Sequence, residues 1–306
     1  MTAVTSQLTP EQRELRKQGL GASEIAAVLG LDPRRTALDV FLEKTGQVLP
    51  FEGNRYTKWG NRLEDDIIEE YQERHPTWTV LPANTVVGPE PWMLATPDRR
   101  VVMGPLDGRD VLAKDDRGLE CKCRGEYDRD SWGDEGTDEV PDAVAVQCHW
   151  GMIVTGLKVW DAAVLLGGND YREYTIAYDE TIAAALIEKA RAFWFDRVLK
   201  NVHPPFTGAE SDHRFLLRTY PTHSGEIVPA PPELSFVVER LQQVRAQLGT
   251  LEREKDELAA NIKEFIADRR GVSGPGFKIT WTHMDAVEVK AFTRAATRRF
   301  DCRFSK

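Results

Sequence analysis

Apolar residues recur at helical spacing along much of the first two thirds of the chain. In the segment that follows Trp59, the residues Leu63, Ile67 and Tyr71 repeat every four positions, which places them on one face of a helix. The same kind of spacing predicts further helices over residues 10–18, 23–29, 36–42, 143–154 and 181–199. Each of these helices therefore has one apolar face to bury.

Short runs of strand character lie between these helices. They cover residues 77–81, 85–87, 99–103, 158–166 and 171–178, and the last two are predicted to pair antiparallel. A further buried strand is predicted around residues 118–123. Turn residues at 107–108 and 115–118 separate this strand from the run that begins at Arg99, which favours an antiparallel hairpin. Such a hairpin brings Asp98 opposite Glu120.

Candidate chemistry enters at Glu120 and Lys122, which occupy alternate positions of the predicted strand. Residues two apart on a strand face the same way, so these side chains lie side by side. A carboxylate binds hard cations such as Mg²⁺ through oxygen, and a neighbouring lysine orients or helps to deprotonate a water, or stabilises a phosphate. With Asp98 across the hairpin, the strands carry the PD-(D/E)xK nuclease constellation. Alone, Glu-x-Lys is more often a solvated ion pair, and Pro97-Asp98 more often starts a turn.

Other candidate residues lie on the predicted helices. Ser23 is predicted to be the N-cap of the second helix, where a hydroxyl can face a phosphate, and Arg16 lies one loop away. Glu64 borders the apolar stripe of its helix and can reach a cleft, and Gln147 lies on the predicted helix 143–154. The commoner roles of such residues are a plain cap for Ser23, a surface acid for Glu64 and an ordinary helix position for Gln147.

Composition and charge narrow the class of protein. A chain of 306 residues accommodates one large or two modest domains. No apolar run is long enough to cross a bilayer, and the first eight residues lack the features of a signal peptide, so we expect a cytoplasmic protein without a membrane partner. The net charge of −9 argues against a protein that coats nucleic acid generally, and it predicts local rather than global basic surface.

The cysteines favour buried thiols over a metal centre. Cys121 and Cys123 flank Lys122 and are predicted to point to the opposite face of the sheet. The remaining cysteines, Cys148 and Cys302, lie far away in sequence, and no second Cys/His pair stands at ligand spacing. Zinc and a four-cysteine iron–sulfur site are both disfavoured for this reason.

The C-terminal third of the chain has a different pattern. Residues 207–232 contain prolines without a sustained period, which predicts a linker or irregular arm. From Leu234 to Phe265, apolar residues alternate at spacings of three and four, interrupted only by Lys255. This heptad seam predicts a long helix that either forms a coiled coil with another chain or packs within its own. Residues 271–276 end that helix, 277–281 form a strand and 290–306 form a basic tail suited to phosphate contacts.

Five short motifs, taken in order, resemble those of the lambda-exonuclease-like, YqaJ-type viral recombinase family of the PD-(D/E)xK nuclease superfamily. They are Arg16 with Gly21-Ala22-Ser23-Glu24, Trp59-Gly60-Asn61-Arg62-Leu63-Glu64, Thr96-Pro97-Asp98, Leu119-Glu120-Cys121-Lys122 and Val146-Gln147-Cys148-His149-Trp150. Each motif is short, but five in the family's order and spacing are specific. The resemblance covers roughly residues 11–200, and residues 233–306 are similar, less specifically, to the C-terminal segments of longer phage members.

The resemblance implies an α/β (α+β) fold with a restriction-endonuclease-like core. In this fold a mixed sheet is flanked by helices, and a long C-terminal helix or coiled coil and a small β region follow. The implied organisation is a nuclease domain over residues 1–206, a linker or arm over 207–232, a long helix over 233–270, and a short strand region with the basic tail over 271–306.

The resemblance also implies roles for seven residues. Three carboxylates are implied metal ligands: Asp98, Glu120 and Glu64. Lys122 is implied to orient the attacking water with Gln147 beside it, and Arg16 and Ser23 are implied to hold a 5′-terminal phosphate. The metal is expected to be one or two Mg²⁺ ions, with Mn²⁺ as a substitute.

Members of the family are deoxyribonucleases that resect linear duplex DNA from 5′ to 3′, several as ring-shaped trimers, together with a single-strand annealing protein. The resemblance implies the same exonuclease activity, DNA ends as partners, a homo-oligomer, and a phage- or prophage-encoded protein acting in the cytoplasm of a bacterial host. Two features depart from the family pattern. Arg124 stands where many relatives have proline, and the acidic loop 134–142 lies along a possible DNA path and puts processivity in doubt.

Two other functions are open at this point. An endonuclease of the same fold would cut DNA internally or at branches, which activity on closed circular DNA would reveal. A non-catalytic protein that binds DNA ends would recruit a partner through its coiled coil. The presence of Asp98, Glu120 and Lys122 together argues against a site without chemistry.

Overall fold

A computed structural model describes residues 14–48, 53–104 and 115–284 of the chain. It divides into two compact units, Met1–Arg214 and Phe215–Lys306. The predicted helix start at Thr9-Pro10, the turn at Asp107-Gly108 and the basic tail at 290–306 lie outside the described residues.

The first unit alternates helices and strands. Its elements are β1 (Leu20–Gly21), α1 (Ala22–Val28), α2 (Ala37–Lys44), α3 (Arg55–Arg74), β2 (Thr79–Pro82), β3 (Val86–Val87), β4 (Met93–Ala95), β5 (Arg99–Val102), β6 (Arg117–Arg124), a 3-10 helix (Glu126–Ser131), α4 (Asp142–Thr155), β7 (Val159–Leu166), β8 (Asp170–Ala177), α5 (Glu180–Phe193) and a π-helical turn (Trp194–Val198). Helix α6 (Glu210–Thr219) extends across the division between the two units.

Five of the strands form a mixed sheet in the order β2-β5-β6-β7-β8. Strands β6 and β7 are parallel, and the other neighbours are antiparallel, including the predicted pair β7 and β8. Strands β1, β4 and β3 form a small second sheet. The predicted fold class, a mixed sheet flanked by helices with a long C-terminal helix, is confirmed.

The predicted hairpin around Asp98 is observed. Strands β5 and β6 are antiparallel, with Arg99 opposite Leu119 and Arg100 opposite Gly118. One further step of this register places Asp98 opposite Glu120. The register therefore brings the two carboxylates to neighbouring strands at the same level.

The two faces of the sheet are covered by different helices. On one face, Ile67 and Tyr71 of α3 pack with Leu119 of β6, and Cys121 and Cys123 lie beside this cluster. On the other face, α4 packs with Trp160 of β7. Because side chains alternate along β6, the predicted placement of the cysteines opposite Glu120 and Lys122 is confirmed.

The predicted helix and strand boundaries need several small corrections. Ser23 is not the N-cap of α1, because the cap is Gly21, whose amide N–H donates to Glu24 Oε2 at 2.8 Å. Helix α4 begins at Asp142, one residue before the predicted start, and its cap is Pro141. Residues 207–232 contain α6 rather than wholly irregular chain.

The second unit is dominated by one long helix. Helix α7 (Pro232–Ile266) confirms the predicted helix, and β9 (Gly271–Gly274) pairs antiparallel with β10 (Phe277–Thr280). Residues of the heptad seam are exposed, among them Val237 at 63% and Phe265 at 62%. Association through this seam stays a prediction. No helix among the described residues has the length and apolar character needed to span a membrane.

The indole of Trp160 leaves no room for a side chain at Gly118 or Gly151 in the core. A Cβ atom added at Gly118 or at Gly151 would lie 2.4 Å from the indole of Trp160. Gly118 stands opposite Trp160 on β6, and Gly151 lies on α4. The closest packing of helix on sheet therefore depends on two positions without a side chain.

We expect Gly118→Ala to lower the free energy of unfolding of the first unit by about 1–3 kcal/mol, because the added methyl group overpacks the core. Urea denaturation measures this change. Gly60→Ala is the matched control, since nothing lies within 4 Å of its added Cβ and alanine favours a helix by about 1 kcal/mol over glycine. Equal stability of Gly118→Ala and the wild type would contradict this account of the core.

Candidate active site

Glu120 and Lys122 form the centre of the candidate site. Both side chains are largely buried, with 6% and 14% of their surfaces exposed. Lys122 Nζ forms an ion pair with Glu120 Oε1 and donates a hydrogen bond to Gln147 Oε1 at 3.1 Å. The strand places the acid and the base side by side, and α4 contributes the amide from above the sheet. The predicted neighbourhood of these three residues is therefore observed.

Asp98 lies beside this centre, immediately before β5. Its Oδ2 accepts the backbone N–H of Cys121 at 2.7 Å. That amide lies between Glu120 and Lys122 on β6, so the hydrogen bond fixes the Asp98 carboxylate against the reactive stretch of the strand. Pro97 is buried and presets the backbone that leads into this position.

Glu64 approaches from α3 and is held by an arginine. Arg99 Nη1 lies 3.4 Å from Glu64 Oε1 and also donates to the carbonyl oxygen of Asp98 at 2.7 Å. Arg99 Nη2 donates to Asp65 Oδ1 at 2.9 Å. The helix therefore brings Glu64 to the border of the site, as the sequence predicts. Arg99 was not predicted as a site residue, although it directly follows Asp98 in the chain.

The charges of these groups influence one another strongly. Burial raises the pKa of Asp98 well above its usual range, and the nearby Glu120 carboxylate adds to the rise. Burial also raises the pKa of Glu64, against the opposing effect of Arg99. For Lys122, burial lowers the pKa, but Glu120 and Asp98 more than offset it, so its pKa lies above the ordinary value. Lys122 therefore carries a positive charge at neutral pH.

The carboxylates fit a hard divalent cation by their chemistry. They provide oxygen donors only, which suits Mg²⁺. Burial is the main cause of the raised pKa of Asp98 and of Glu64, and repulsion by Glu120 adds to it; a bound cation would offset both effects. Within residues 14–48, 53–104 and 115–284, no three His, Cys, Asp or Glu side chains are arranged as a ligand cluster. Glu64 instead faces Arg99, and Glu120 faces Lys122. Metal binding by Asp98, Glu120 and Glu64 stays a prediction.

Arg16 and Ser23 lie together at a pocket that reaches the same centre. Arg16 Nη2 donates to Ser23 Oγ at 2.9 Å. The pocket is small and open, with room of about 20 Å³, and its lining residues are Arg16, Gly21, Ala22, Ser23, Leu94, Thr96 and Gln147. Because Gln147 also accepts the hydrogen bond from Lys122, the pocket and the reactive centre are neighbours.

A buried ion pair supports this pocket from below. Glu24 Oε2 lies 2.8 Å from Lys44 Nζ, and both side chains are almost fully buried. Lys44 Nζ also donates to the carbonyl oxygen of Arg16 at 2.5 Å, while Glu24 holds the amide of Gly21. The pair thus connects α2 to both sides of the pocket. Sequence analysis missed Lys44, because a lysine at the end of a helix is usually exposed.

A second polar network lies behind the reactive strand. Asp161 on β7 accepts hydrogen bonds from Tyr71 Oη at 2.6 Å, from Arg117 Nη1 at 3.0 Å and from Thr175 Oγ1 at 2.8 Å. These contacts tie α3, β6 and β8 to β7. The network holds β6 from the side opposite the site and was also not predicted from the sequence.

We expect Lys44→Ala to lower the free energy of unfolding by about 3–5 kcal/mol at pH 7, because it leaves the Glu24 carboxylate buried without its partner. Chemical denaturation measures this loss. Lys17→Ala is the control, since Lys17 pairs with Glu14 at an exposed site and should cost less than about 1 kcal/mol.

The same pair predicts a pH dependence. Burial alone raises the pKa of Glu24, but Lys44, Arg16 and Arg35 more than offset it, so the pKa lies below the ordinary value. A lowered pKa stabilises the fold above the unfolded value of about 4.3, and this contribution disappears as the pH falls through the folded value. The stability difference between the wild type and Lys44→Ala should therefore shrink below about pH 4. A difference that does not change with pH would contradict the role of Glu24.

Comparisons with known proteins agree with the fold. Residues 12–158 match the model of the YqaJ-like viral recombinase domain. The uncharacterized protein YqaJ of Bacillus subtilis (strain 168) is 27% identical over 258 residues, which cover 83% of this chain and 76% of that protein. The crystal structure of an alkaline exonuclease from Laribacter hongkongensis, LHK-Exo, matches with a TM-score of 0.50 and 18% identity over 69% of this chain and 100% of that chain.

The matched residues include those that line the pocket, together with Glu64, Asp98, Glu120 and Lys122. The match to LHK-Exo, at its level of identity, shows that the two proteins share a fold. Residues 12–158 of this chain are thus similar in sequence to the YqaJ-like viral recombinase domain.

Proposed function

We propose that this protein is a metal-dependent deoxyribonuclease that hydrolyses the phosphodiester bonds of linear duplex DNA. In this proposal it is a 5′-to-3′ exonuclease that resects DNA ends for phage-type homologous recombination by single-strand annealing. The similarity to the YqaJ-like viral recombinase domain and the fold shared with the alkaline exonuclease LHK-Exo support a nuclease acting on DNA.

One observation carries the preference for DNA ends. The pocket formed by Arg16 and Ser23 shares the residue Gln147 with the reactive centre around Lys122. A guanidinium and a hydroxyl are suitable donors for a terminal phosphate. A DNA strand whose 5′ phosphate occupies the pocket therefore has its first phosphodiester bonds close to Glu120 and Lys122.

The residues of the chain have separate roles in the proposed hydrolysis. Asp98, Glu120 and Glu64 hold one or two Mg²⁺ ions, with Mn²⁺ as a substitute. When bound, such an ion lowers the pKa of a water and polarises the phosphate. Lys122 keeps its positive charge, so it orients the attacking water and stabilises the negative charge on the phosphate rather than removing a proton. Glu120 and Gln147 fix the direction of its ammonium group.

The wider biological setting belongs to the same proposal. The partners are double-stranded DNA ends and a single-strand annealing protein, and the protein acts in the cytoplasm of a bacterial host as a phage or prophage product. The exposed heptad seam of α7 provides a surface for a homo-oligomer, a trimer by analogy with the family. The raised pKa values of Asp98 and Glu64 support a requirement for a cation, which would stabilise the charged carboxylates.

Digestion of matched DNA substrates tests the proposal. Purified protein and Mg²⁺ are incubated with a linear duplex, with the same duplex lacking its 5′ phosphates, and with a closed circle. We expect loss of the linear substrates only, faster with the 5′ phosphate. Nicking of the circle would instead indicate an endonuclease of the same fold, and binding without cleavage in Mg²⁺ or Mn²⁺ would indicate a non-catalytic protein that binds DNA ends.

We expect Lys122→Ala to slow digestion of the linear duplex by about 10²–10⁴-fold, because the water and the phosphate lose their charged donor. Binding to the duplex should be retained, which a mobility-shift titration in EDTA measures. Lys200→Ala is the control, since Lys200 is an exposed lysine that pairs with Asp196. Digestion by Lys122→Ala at the wild-type rate would exclude the proposed role.

We expect Arg16→Gln to remove the preference for 5′-phosphorylated ends. The initial digestion rate on 5′-phosphorylated duplex should fall about tenfold or more, which is the scale of one hydrogen bond to a charged group. The rate on 5′-hydroxyl duplex should change little. Initial digestion rates on the two substrates measure the ratio. A variant that loses activity equally on both ends would show that Arg16 does not contact the terminal phosphate.

A further inference from the structure

Arg124 is the last residue of β6 and faces the same side of the sheet as Glu120 and Lys122. It lies two residues beyond Lys122, about 7 Å along the strand. Its backbone is well held, because its carbonyl oxygen accepts the amide of Gly167 at 3.0 Å and the residue stands opposite Leu166 on β7. The strand therefore presents a third charged side chain in line with the reactive pair.

The side chain of Arg124 is half-buried without an anionic partner. Its Nη1 donates to the carbonyl oxygen of Cys123 at 3.0 Å, and no carboxylate in the described part of the chain forms an ion pair with it. Arg117, at the other end of the same strand, pairs instead with Asp161 at 3.0 Å. Arginine is rarely buried unless it is paired, and among the described residues Arg124 lacks the carboxylate that Arg117 has, so its guanidinium is suited to an anion from a ligand.

The surroundings of Arg124 favour an anion. Burial lowers the pKa of Arg124, and the positive charge of Arg34 lowers it further, whereas the carboxylates of Asp128 and Glu120 oppose this effect. Asp128 lies 3.9 Å from Arg34, with which it forms an ion pair. Glu120, the nearest acid on the strand face, is already paired with Lys122. The planar guanidinium fork matches the geometry of a phosphate group, to which it can donate two parallel hydrogen bonds.

The position of Arg124 separates it from the pocket for the terminal phosphate. Arg124 is absent from the lining of that pocket, which lies at the start of α1. Its cationic neighbour Arg34 instead lies in the loop that follows α1, and a helix of seven residues is about 10 Å long. The pocket and Arg124 would therefore contact different positions along a bound DNA strand.

We propose that Arg124 binds an internal phosphate of the DNA strand, next to the phosphate that is cleaved. This second phosphate subsite rests on the proposed nuclease function and adds a residue to it. An internal phosphate is present whatever the chemistry of the DNA end and whatever the base sequence. Arg124 therefore contributes affinity equally to phosphorylated and unphosphorylated ends, unlike Arg16.

The test compares Arg124→Gln and Arg124→Lys with the wild type. Dissociation constants for linear duplex with 5′-phosphate and with 5′-hydroxyl ends are measured in EDTA over a range of salt concentrations. We expect Arg124→Gln to weaken binding about tenfold or more on both substrates. The slope of log affinity against log salt should become shallower by about 0.9, the value for one phosphate contact on duplex DNA. Arg124→Lys should keep the salt slope and recover part of the affinity, because lysine keeps the charge but not the fork.

Arg74→Gln is the matched control. Arg74 is an exposed arginine that is already paired with Glu70 and Glu135, so its loss should leave both affinity and salt slope unchanged. Thermal melting of each variant shows whether a change in affinity reflects lost folding. If Arg124→Gln does not fold, the affinity and salt slope of Arg124→Lys decide the test.

Two results would overturn the inference while the proposed function stands. One is Arg124 variants that bind like the wild type with an unchanged salt slope. The other is weaker binding on 5′-phosphorylated ends alone, which would place Arg124 at the terminal phosphate. A wild-type protein that neither binds nor digests linear duplex would instead overturn the proposed function itself.

Discussion

The antiparallel register of β5 and β6 is the constraint on which the site depends. Arg99 stands opposite Leu119, so Asp98 reaches the level of Glu120, and its carboxylate accepts the amide of Cys121. A shift of one residue would turn Glu120 and Lys122 to the face that α3 covers, where Leu119 and Cys121 now pack. The close packing of Trp160 on Gly118 favours the observed pairing of β6 with β7, because a side chain at position 118 has no room.

Burial and neighbouring charges determine the properties of the side chains that this register brings together. Burial raises the pKa of Asp98 and of Glu64, and the nearby Glu120 carboxylate adds to both rises, while Lys122 and Arg99 supply the opposing charges. A site of this kind is costly to assemble, since each partly buried charge loses its hydration. Two buried networks hold it in place: Glu24 with Lys44 below the pocket, and Asp161 with Tyr71 behind the strand. Lys44, Asp161 and Tyr71 lie outside the motifs, although their contacts position residues that belong to them.

Local patterns in the sequence predicted the parts of the site that depend on local rules. Alternation along β6 placed Glu120 with Lys122, and helical spacing placed Glu64 at the border of a buried face. The contacts that join distant segments were not predictable in this way. Lys44 follows Glu24 by twenty positions and reads as an ordinary surface lysine at a helix end, and only the packing of α2 against α1 buries it. The cap of α1 was misassigned for a related reason, because Ser23 is a good N-cap by type, whereas Glu24 binds the amide of Gly21. Helix α6 was missed because its ten residues are mostly polar and lie in a segment whose prolines favour irregular chain.

The measurement that tests the central claim most directly is the order in which label leaves a linear duplex. One substrate carries the label at the 5′ terminus of each strand and the other at the 3′ terminus, and each is digested with Mg²⁺ or with EDTA. The account predicts that, with Mg²⁺ only, the 5′ label appears in the earliest short products while the 3′ label stays in long strands until late. Early release of the 3′ label, simultaneous fragmentation of both substrates, or digestion in EDTA would contradict a metal-dependent site fed from a 5′-phosphate pocket.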